Sequence, residues 1–261
     1  MIFSSLFLFK LCVIPALIAV VSYAQKRWGH SIGGMIGGLP LVAGPISIFL
    51  AVEQGLPFAR AAAPETAAAL LGTSAYALTY MHLAQSRPWY FCWICGMGAC
   101  LSVFYLQSLL QISPVFQIVL GILAMAINTI FISRIPPKPH IHPAGTSWDI
   151  PIRAVAVLIP LLLITGLAHI IGPKYSGMFS SFPVFWTVLF IMTQIQWGYD
   201  ALITFFRGAV IGNYSMVVFT AAIAFIPVDN IPALYFIAIA VTAGTAYFFN
   251  RHKAFFLKMR V

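Results

Sequence analysis

Long apolar runs separated by short polar joints make up almost the whole chain. Each run is close to the roughly 20 residues that an α-helix needs to cross about 30 Å of hydrocarbon. The longest joint, 134–150, is rich in proline, which favours an extended linker. The pattern predicts an all-α polytopic membrane helix bundle with about nine transmembrane helices. The predicted segments are 4–24, 31–52, 62–82, 89–109, 113–133, 151–172, 177–196, 201–225 and 231–249.

Charged residues are too few to cover a water-facing surface. Of the 261 residues, 7% are charged and 61% are hydrophobic, whereas an ordinary soluble domain carries about 25% charged residues. A lipid-facing surface needs no charge, so the composition excludes a soluble globular protein. A net charge of +9 would suggest nucleic acid binding in a soluble protein. Here most cations lie in short joints and at the C-terminus, and we expect no nucleic acid partner.

The basic residues are divided unequally between the two predicted sides of the membrane. Residues 1–9 contain no basic residue, and the pair Lys26-Arg27 follows the first apolar run, as in a retained helix whose N-terminus is outside. We therefore expect an integral, multi-pass plasma (inner) membrane protein with a cytoplasmic C-terminus. One side carries Lys26, Arg27, Arg87, Arg134, Lys138, Arg153, Arg251, Lys253, Lys258 and Arg260; the other carries Arg60, Lys174 and, less clearly, Lys10.

A weak internal repeat relates the second and seventh segments. Gly34-Met35, Pro40 and Gly55 recur at one constant offset as Gly177-Met178, Pro183 and Gly198. The segments are an odd number of crossings apart, so the two copies would run in opposite directions. This indicates an inverted-topology repeat, a plan common in secondary transporters.

The repeat divides the chain into three parts. We expect segments one to four and six to nine to form the two units, with segment five as the linking helix. The first membrane repeat would span 1–112, the linker helix and cytoplasmic loop 113–150, and the second, inverted repeat with its basic tail 151–261. A plan of five plus five segments with the last one missing is equivalent at this level.

Proline and small residues interrupt the second and seventh segments. Proline removes a backbone donor and glycine tolerates unusual backbone conformations. Backbone groups freed by a break must face protein or a wet cavity, so paired interruptions indicate a substrate site. The alternative is close helix packing, for which Gly34-x-x-x-Gly38 is a suitable pattern. The candidate substrate-binding residues here are Pro40, Gly44, Pro45, Ser181 and Pro183.

Charged and polar residues of the neighbouring segments complete the candidate site. Arg207 and Asn213 in the eighth segment join the substrate-binding set. A charge at mid-bilayer is costly, so Arg207 either meets an anionic group in a cavity, pairs with Asp200 or snorkels to the headgroups. Glu53, Glu65 and Asp200 are candidates for carrying a coupling proton. Interfacial carboxylates paired with Arg60 are the alternative for the two glutamates.

Signatures of enzymes and cofactors are absent from the sequence. It contains no zinc-peptidase, nucleophile-elbow or nucleotide-binding motif. The pair Cys92 and Cys95 is too little for a metal site, because a second pair is lacking. We therefore predict no enzyme, no cofactor and no metal. The expected partners are membrane lipid and a small-molecule solute, and a homodimer is left open.

The Gly-rich apolar segment with its central proline resembles the small GlpM-type membrane proteins. The two copies resemble two such units joined through a linker helix, and the overall plan is similar to that of drug/metabolite transporters. The likeness is one of architecture, and neither resemblance assigns a functional residue. From the repeat and its interrupted segments we expect a secondary transporter of a small solute working by alternating access, and Arg207 favours an anionic or amphipathic metabolite. The alternatives are a structural or accessory membrane subunit and, less favoured, a metal-ion transporter or a lipid-modifying membrane enzyme.

Overall fold

The computed structural model describes residues 27–135 and 149–252, together with positions 16, 19, 20 and 23. The side chains of 149–161, 164 and 165 fall outside this description. Most of the predicted first segment, most of the linker loop and the basic tail after residue 252 therefore lie outside the described residues, as do Lys10, Lys26 and Lys138.

Every regular element among the described residues is an α-helix. Helices occupy each predicted segment from 31–52 onward, with ends that differ by a few residues. In chain order they are α1 His30–Gly38, α2 Ala43–Gln54, α3 Leu56–Leu83, α4 Trp89–Leu109, α5 Pro114–Ser133, α6 Asp149–Ser180, α7 Val184–Phe225 and α8 Ile231–Arg251.

In the part of the chain that the structure describes, five helical stretches are long and apolar enough to cross a membrane. They identify a multi-pass membrane protein with an all-helical fold. Their bounds are His30–Gln54, Trp89–Leu109, Pro114–Ser133, Gly166–Phe225 and Ile231–Arg251. The remaining long helix, α3, packs against α4, α5, α6 and α7 in the interior of the bundle.

Prolines lie where two of the predicted segments are broken. The second segment divides into α1 and α2 across 39–42, where Leu39 is extended and Pro40 follows it. Pro45 lies in the first turn of α2, where a helix has no internal partner for the missing N–H. The seventh segment is broken at 181–183, and Pro183 is the N-cap of α7. Both predicted interruptions are thus breaks and not bends.

Four glycines with positive φ mark sharp changes of chain direction. They are Gly29 (φ 91), Gly55 (φ 92), Gly172 (φ 74) and Gly198 (φ 77). Gly172 and Gly198 divide α6 and α7 each into two helices. Gly172 lies 143 positions after Gly29, and Gly198 lies 143 positions after Gly55. The ψ values of all four glycines are extended.

Replacing Gly198 by alanine should lower the free energy of unfolding by about 1–3 kcal/mol, because only glycine adopts this backbone without strain. A Cβ at Gly198 meets no atom within 4 Å, so the expected loss of stability comes from the backbone conformation and not from a steric clash. Gly166→Ala is the matched control, since its Cβ also enters open space but its backbone is helical. Denaturant unfolding in detergent micelles measures both. Equal stability of the two variants would contradict the prediction.

Two antiparallel helices form the centre of the bundle. The start of α3 lies beside the end of α7, where Arg60 donates to the carbonyl oxygens of Ile226 and Val228 at 2.9 and 3.0 Å. Further along, Ala77 of α3 shares a cavity wall with Phe206 of α7. We call the two ends of this bundle the Leu56 side and the Leu83 side, after the ends of α3.

The short helices before the two breaks cross these central helices in the same way. A Cβ on Gly34 of α1 would fall on the carbonyl oxygen of Phe205 in α7. A Cβ on Gly177 of α6 would fall on the carbonyl oxygen of Ala62 in α3. Gly177 lies 143 positions after Gly34, and Phe205 lies 143 positions after Ala62. Glycine at these positions therefore allows backbone-to-backbone approach of the helices.

Candidate functional site

A central cavity lies between the two helix breaks. About 450 Å³ of space free of protein atoms lies between its walls, including space that is open to the surroundings. Residues of α1 and the 39–42 break form one wall, residues around the 181–183 break form the opposite wall, and α3 and α7 complete it. The lining consists of Gly37, Gly38, Leu39, Pro40, Val42, Ala43, Leu70, Thr73, Ser180, Ser181, Phe182, Phe185, Trp186, Asn213 and Met216.

The lining of the central cavity is composed of related positions. Apart from Pro40, its residues form seven pairs whose members are 143 positions apart, such as Gly38 with Ser181 and Leu70 with Asn213. The partner position of Pro40 is Pro183, the N-cap of α7. The same offset of 143 positions relates the glycines of positive φ. The backbone turns and the cavity lining therefore share one spacing.

Two smaller cavities flank the central one, one toward each end of the bundle. The Leu83-side cavity, of about 260 Å³, shares Leu70, Thr73, Trp186 and Asn213 with the central cavity. The Leu56-side cavity, of about 270 Å³, shares Ala43 and Ser180 with it. The three cavities thus form a row through the bundle, along the groove between α3 and α7.

Side-chain size differs between the two flanking cavities. Trp186, Phe190 and Phe206 line the Leu83-side cavity, and the positions 143 residues earlier, Ala43, Ser47 and Ala63, line the Leu56-side cavity. Aromatic side chains on the Leu83 side therefore occupy the positions that small side chains occupy on the Leu56 side.

An aromatic plug surrounds Phe190 on the Leu83 side. Phe190 is fully buried, and five ring centroids lie within 6.3 Å of its own, the closest being Tyr80 at 5.5 Å. Tyr80 donates to the side-chain oxygen of Gln194 at 2.7 Å, which ties α3 to α7 beyond the rings. We use the name aromatic plug for Tyr76, Tyr80, Trp186, Phe190, Phe205 and Phe206.

The hydroxyl groups of the central cavity are engaged with backbone carbonyls. Thr73 donates to Ser181 O at 2.7 Å, Ser181 donates to Thr66 O at 2.8 Å, and Ser180 donates to Ser176 O at 2.7 Å. These bonds satisfy carbonyls near the 181–183 break, as expected for irregular backbone inside a membrane protein. The hydroxyl protons are therefore already used within the protein.

The candidate substrate-binding residues from the sequence fall into two groups. Pro40, Ser181 and Asn213 line the central cavity. Gly44, Pro45 and Pro183 belong to the adjoining first turns but do not line it; a Cβ on Gly44 would lie 3.9 Å from the Cβ of Pro40. The sequence did not single out Leu70, Thr73, Trp186 or Met216. The constant offset could have found several of them by extension from Asn213.

Arg207 is buried and lines none of the three cavities. Its Nη2 donates to the carbonyl oxygen of Ile135, just beyond the end of α5. Two other cations also bind the end of a helix: Lys174 donates to Ser108 O and Leu110 O at the end of α4, and Arg60 to the end of α7. A cation suits a helix C-terminus because it complements the exposed carbonyls and the helix dipole.

The candidate coupling carboxylates are dispersed. Glu53 is exposed at the end of α2, and Asp200 is half-buried two residues after the Gly198 turn. Glu65 is half-buried in α3, with Gln117 and Lys174 as polar neighbours of its carboxylate. Its backbone borders the α6 crossing, because a Cβ on Gly177 would lie 2.8 Å from the Cβ of Glu65. The described cavity linings include none of these three residues.

The ion pair of Arg60 is made with Asp229. Its Nη1 lies 3.0 Å from Asp229 Oδ1, in the joint between α7 and α8. Arg60 therefore joins α3 to the end of α7 on the Leu56 side.

Comparisons of the chain with protein families, with curated proteins and with solved structures find no significant match.

Proposed function

We propose that this protein is a secondary transporter that binds a small solute in the central cavity and exposes it alternately on the two sides of the membrane. The observation that carries the proposal is a cavity formed by two helix breaks with lining positions paired at one offset. Discontinuous helices at a repeat interface are the usual place for a transporter's substrate site.

We also infer an inverted repeat with nine crossings. The support is the equal spacing of the glycines of positive φ, of the two glycine-mediated crossings and of the cavity lining. Helices α4 and α8, 21 residues each, follow α3 and the second part of α7 in equivalent order. Helix α5 would then be the linking helix. An N-terminus outside would put the Leu83 side in the cytoplasm.

The flanking cavities supply the two routes that alternating access requires. Each connects with the central cavity through shared lining residues, and both are narrow in this conformation. Ala77 and Thr220, 143 positions apart, lie on the walls of the Leu83-side and Leu56-side cavities and are 5% and 2% exposed. We therefore assign this conformation to an occluded state.

A structural or accessory subunit is the rival proposal, because glycine-mediated crossings also serve packing alone. The two functions differ in whether water reaches the cavity walls. Cysteine accessibility distinguishes them without knowledge of the solute.

We expect Ala77→Cys and Thr220→Cys, made in a background lacking the four native cysteines, to react with a membrane-impermeant cationic thiosulfonate from opposite sides. Alternating access further requires that modifying one position slows reaction at the other by roughly tenfold or more, because trapping one state depopulates its alternative. Oriented membrane vesicles, probed from each side, provide the measurement.

Phe236→Cys in the same background is the control, since Phe236 is 75% exposed on the outer surface of α8 where lipid would cover it. It should resist the reagent from both sides. Protection of Ala77→Cys and Thr220→Cys at the level of this control would sink the transporter proposal. It would favour the accessory subunit.

A further inference from the structure

We propose that the central cavity takes an uncharged, largely apolar solute whose polar end both donates and accepts a hydrogen bond, such as a carboxamide or a hydroxyl group. The side-chain amide of Asn213 would recognise that end. This inference rests on the proposed function and narrows its substrate class.

The cavity walls carry no counter-charge for an ionic solute. No Asp, Glu, Lys, Arg or His occurs among the described lining residues of the three cavities. The buried cation nearest to the site in sequence, Arg207, already binds Ile135 O at the end of α5. Desolvating an ion without a partner is strongly unfavourable in such surroundings, so the walls select against charge.

Asn213 is a polar side chain held in the apolar interior. It is 8% exposed, and it lines both the central and the Leu83-side cavities. Its amide makes no hydrogen bond with any residue of the described part of the chain. An amide that lines a cavity in an apolar interior and has no partner in the described protein is available to a ligand.

The position of Asn213 within the repeat supports a recognition role. Its counterpart, 143 positions earlier, is Leu70, which lines the same two cavities. A leucine side chain therefore packs at this position of the repeat. The amide of Asn213 is not needed for that packing. An amide offers one acceptor and two donor protons, whereas the hydroxyls of Thr73 and Ser181 have their protons engaged by carbonyls.

The composition of the walls agrees with a small amphipathic molecule. Leu39, Leu70 and Met216 provide apolar contact, and the Trp186 ring lies where the central and Leu83-side cavities join. A planar apolar body would pack against this ring.

Four probes of similar size test the inference: benzamide, benzoate, benzylammonium and toluene. We expect benzamide at about 10 mM to raise the unfolding temperature of the full-length protein in detergent by about 2–4 °C, as for millimolar binding. Toluene should give a smaller shift, and the two ions should give none. The Asn213→Leu variant should fold as well as the native protein but lose the difference between benzamide and toluene.

Asn128→Leu is the matched control variant. Its amide is also buried and donates to Ser74 Oγ at 2.9 Å, and its Oδ1 has no partner among the described residues; it lines the Leu83-side cavity but not the central one. Benzamide should therefore still stabilise it more than toluene does.

Stabilisation by benzoate or benzylammonium equal to that by benzamide would overturn the inference, as would a benzamide effect retained in Asn213→Leu or absent from the native protein. The cysteine reactivity of the unliganded protein is independent of these results. Alternating reactivity without selective benzamide binding would therefore remove the solute class and keep the transporter. Selective benzamide binding without alternating reactivity would keep the solute class and remove the transporter.

Discussion

Replacing Gly34 by leucine is expected to prevent assembly of the bundle, with a loss of unfolding free energy above the roughly 1–3 kcal/mol of ordinary overpacking. The reason is that any Cβ on Gly34 would overlap the Phe205 carbonyl oxygen, which belongs to helix backbone and cannot rotate away. Expression level and a monodisperse elution profile in mild detergent measure the effect. Gly177→Leu should behave alike, because its Cβ would overlap the Ala62 carbonyl oxygen.

Gly98→Leu is the control for both variants. Gly98 is exposed in the middle of α4, and a Cβ there meets no atom within 4 Å. This variant should express and elute as the native protein does. If Gly34→Leu also eluted as the native protein, the close crossing of α1 and α7 would be wrong.

Phe190→Ala should destabilise the protein by about 3–5 kcal/mol, the usual loss for a large buried aromatic side chain. It should also open the Leu83 side. Phe190 is the centre of the aromatic plug and lines the Leu83-side cavity, which shares lining residues with the central cavity, so its truncation should enlarge that route. We expect Ala77→Cys to react at least about tenfold faster from the Leu83 side in this variant, because the closed state loses its packing.

The matched control is Phe236→Ala, which removes the same side chain from the outer surface of α8. It should change neither stability nor reactivity appreciably. A Phe190→Ala variant that is destabilised but reacts at the native rate would show that the aromatic plug is ordinary core. Faster reaction at Thr220→Cys instead would put the barrier on the Leu56 side.

Local chemistry explains why the sequence predicted interruptions of the second and seventh segments, whereas the structure decided that these are breaks and not kinks. Pro40, Pro45 and Pro183 lack an amide hydrogen, so wherever they occur a helix must begin or stop nearby. The recurrence of Gly55 as Gly198 likewise reflects a backbone conformation that other residues reach only with strain. These effects act within a few residues, and the sequence contains them in full.

Which residues line a cavity depends on which way a helix is rotated, and the sequence does not show that rotation. Pro40, Ser181 and Asn213 line the central cavity, whereas Gly44 and Pro45, equally near the break, do not. Trp186 carried no signal in the sequence, since an aromatic residue in an apolar helix is usually core. Only contact with the other helices distinguishes these cases.

The three cations show the same dependence on long-range contacts. Arg207 as a membrane-buried charge was evident from the sequence, but its partner is the Ile135 carbonyl, 72 positions away in the chain. Arg60 binds the end of α7 and Lys174 the end of α4. Side-chain type alone does not indicate which helix end a cation will meet.

The sequence by itself determined that the protein is a multi-pass helical membrane protein and where two of its apolar segments are interrupted, because hydropathy, proline and glycine act locally. Only the tertiary structure decided which broken ends face each other, which residues form the row of cavities and which side of that row is closed by rings. Those features arise from the rotation and approach of helices distant in the chain, and backbone contacts such as that of Gly34 with Phe205 set them.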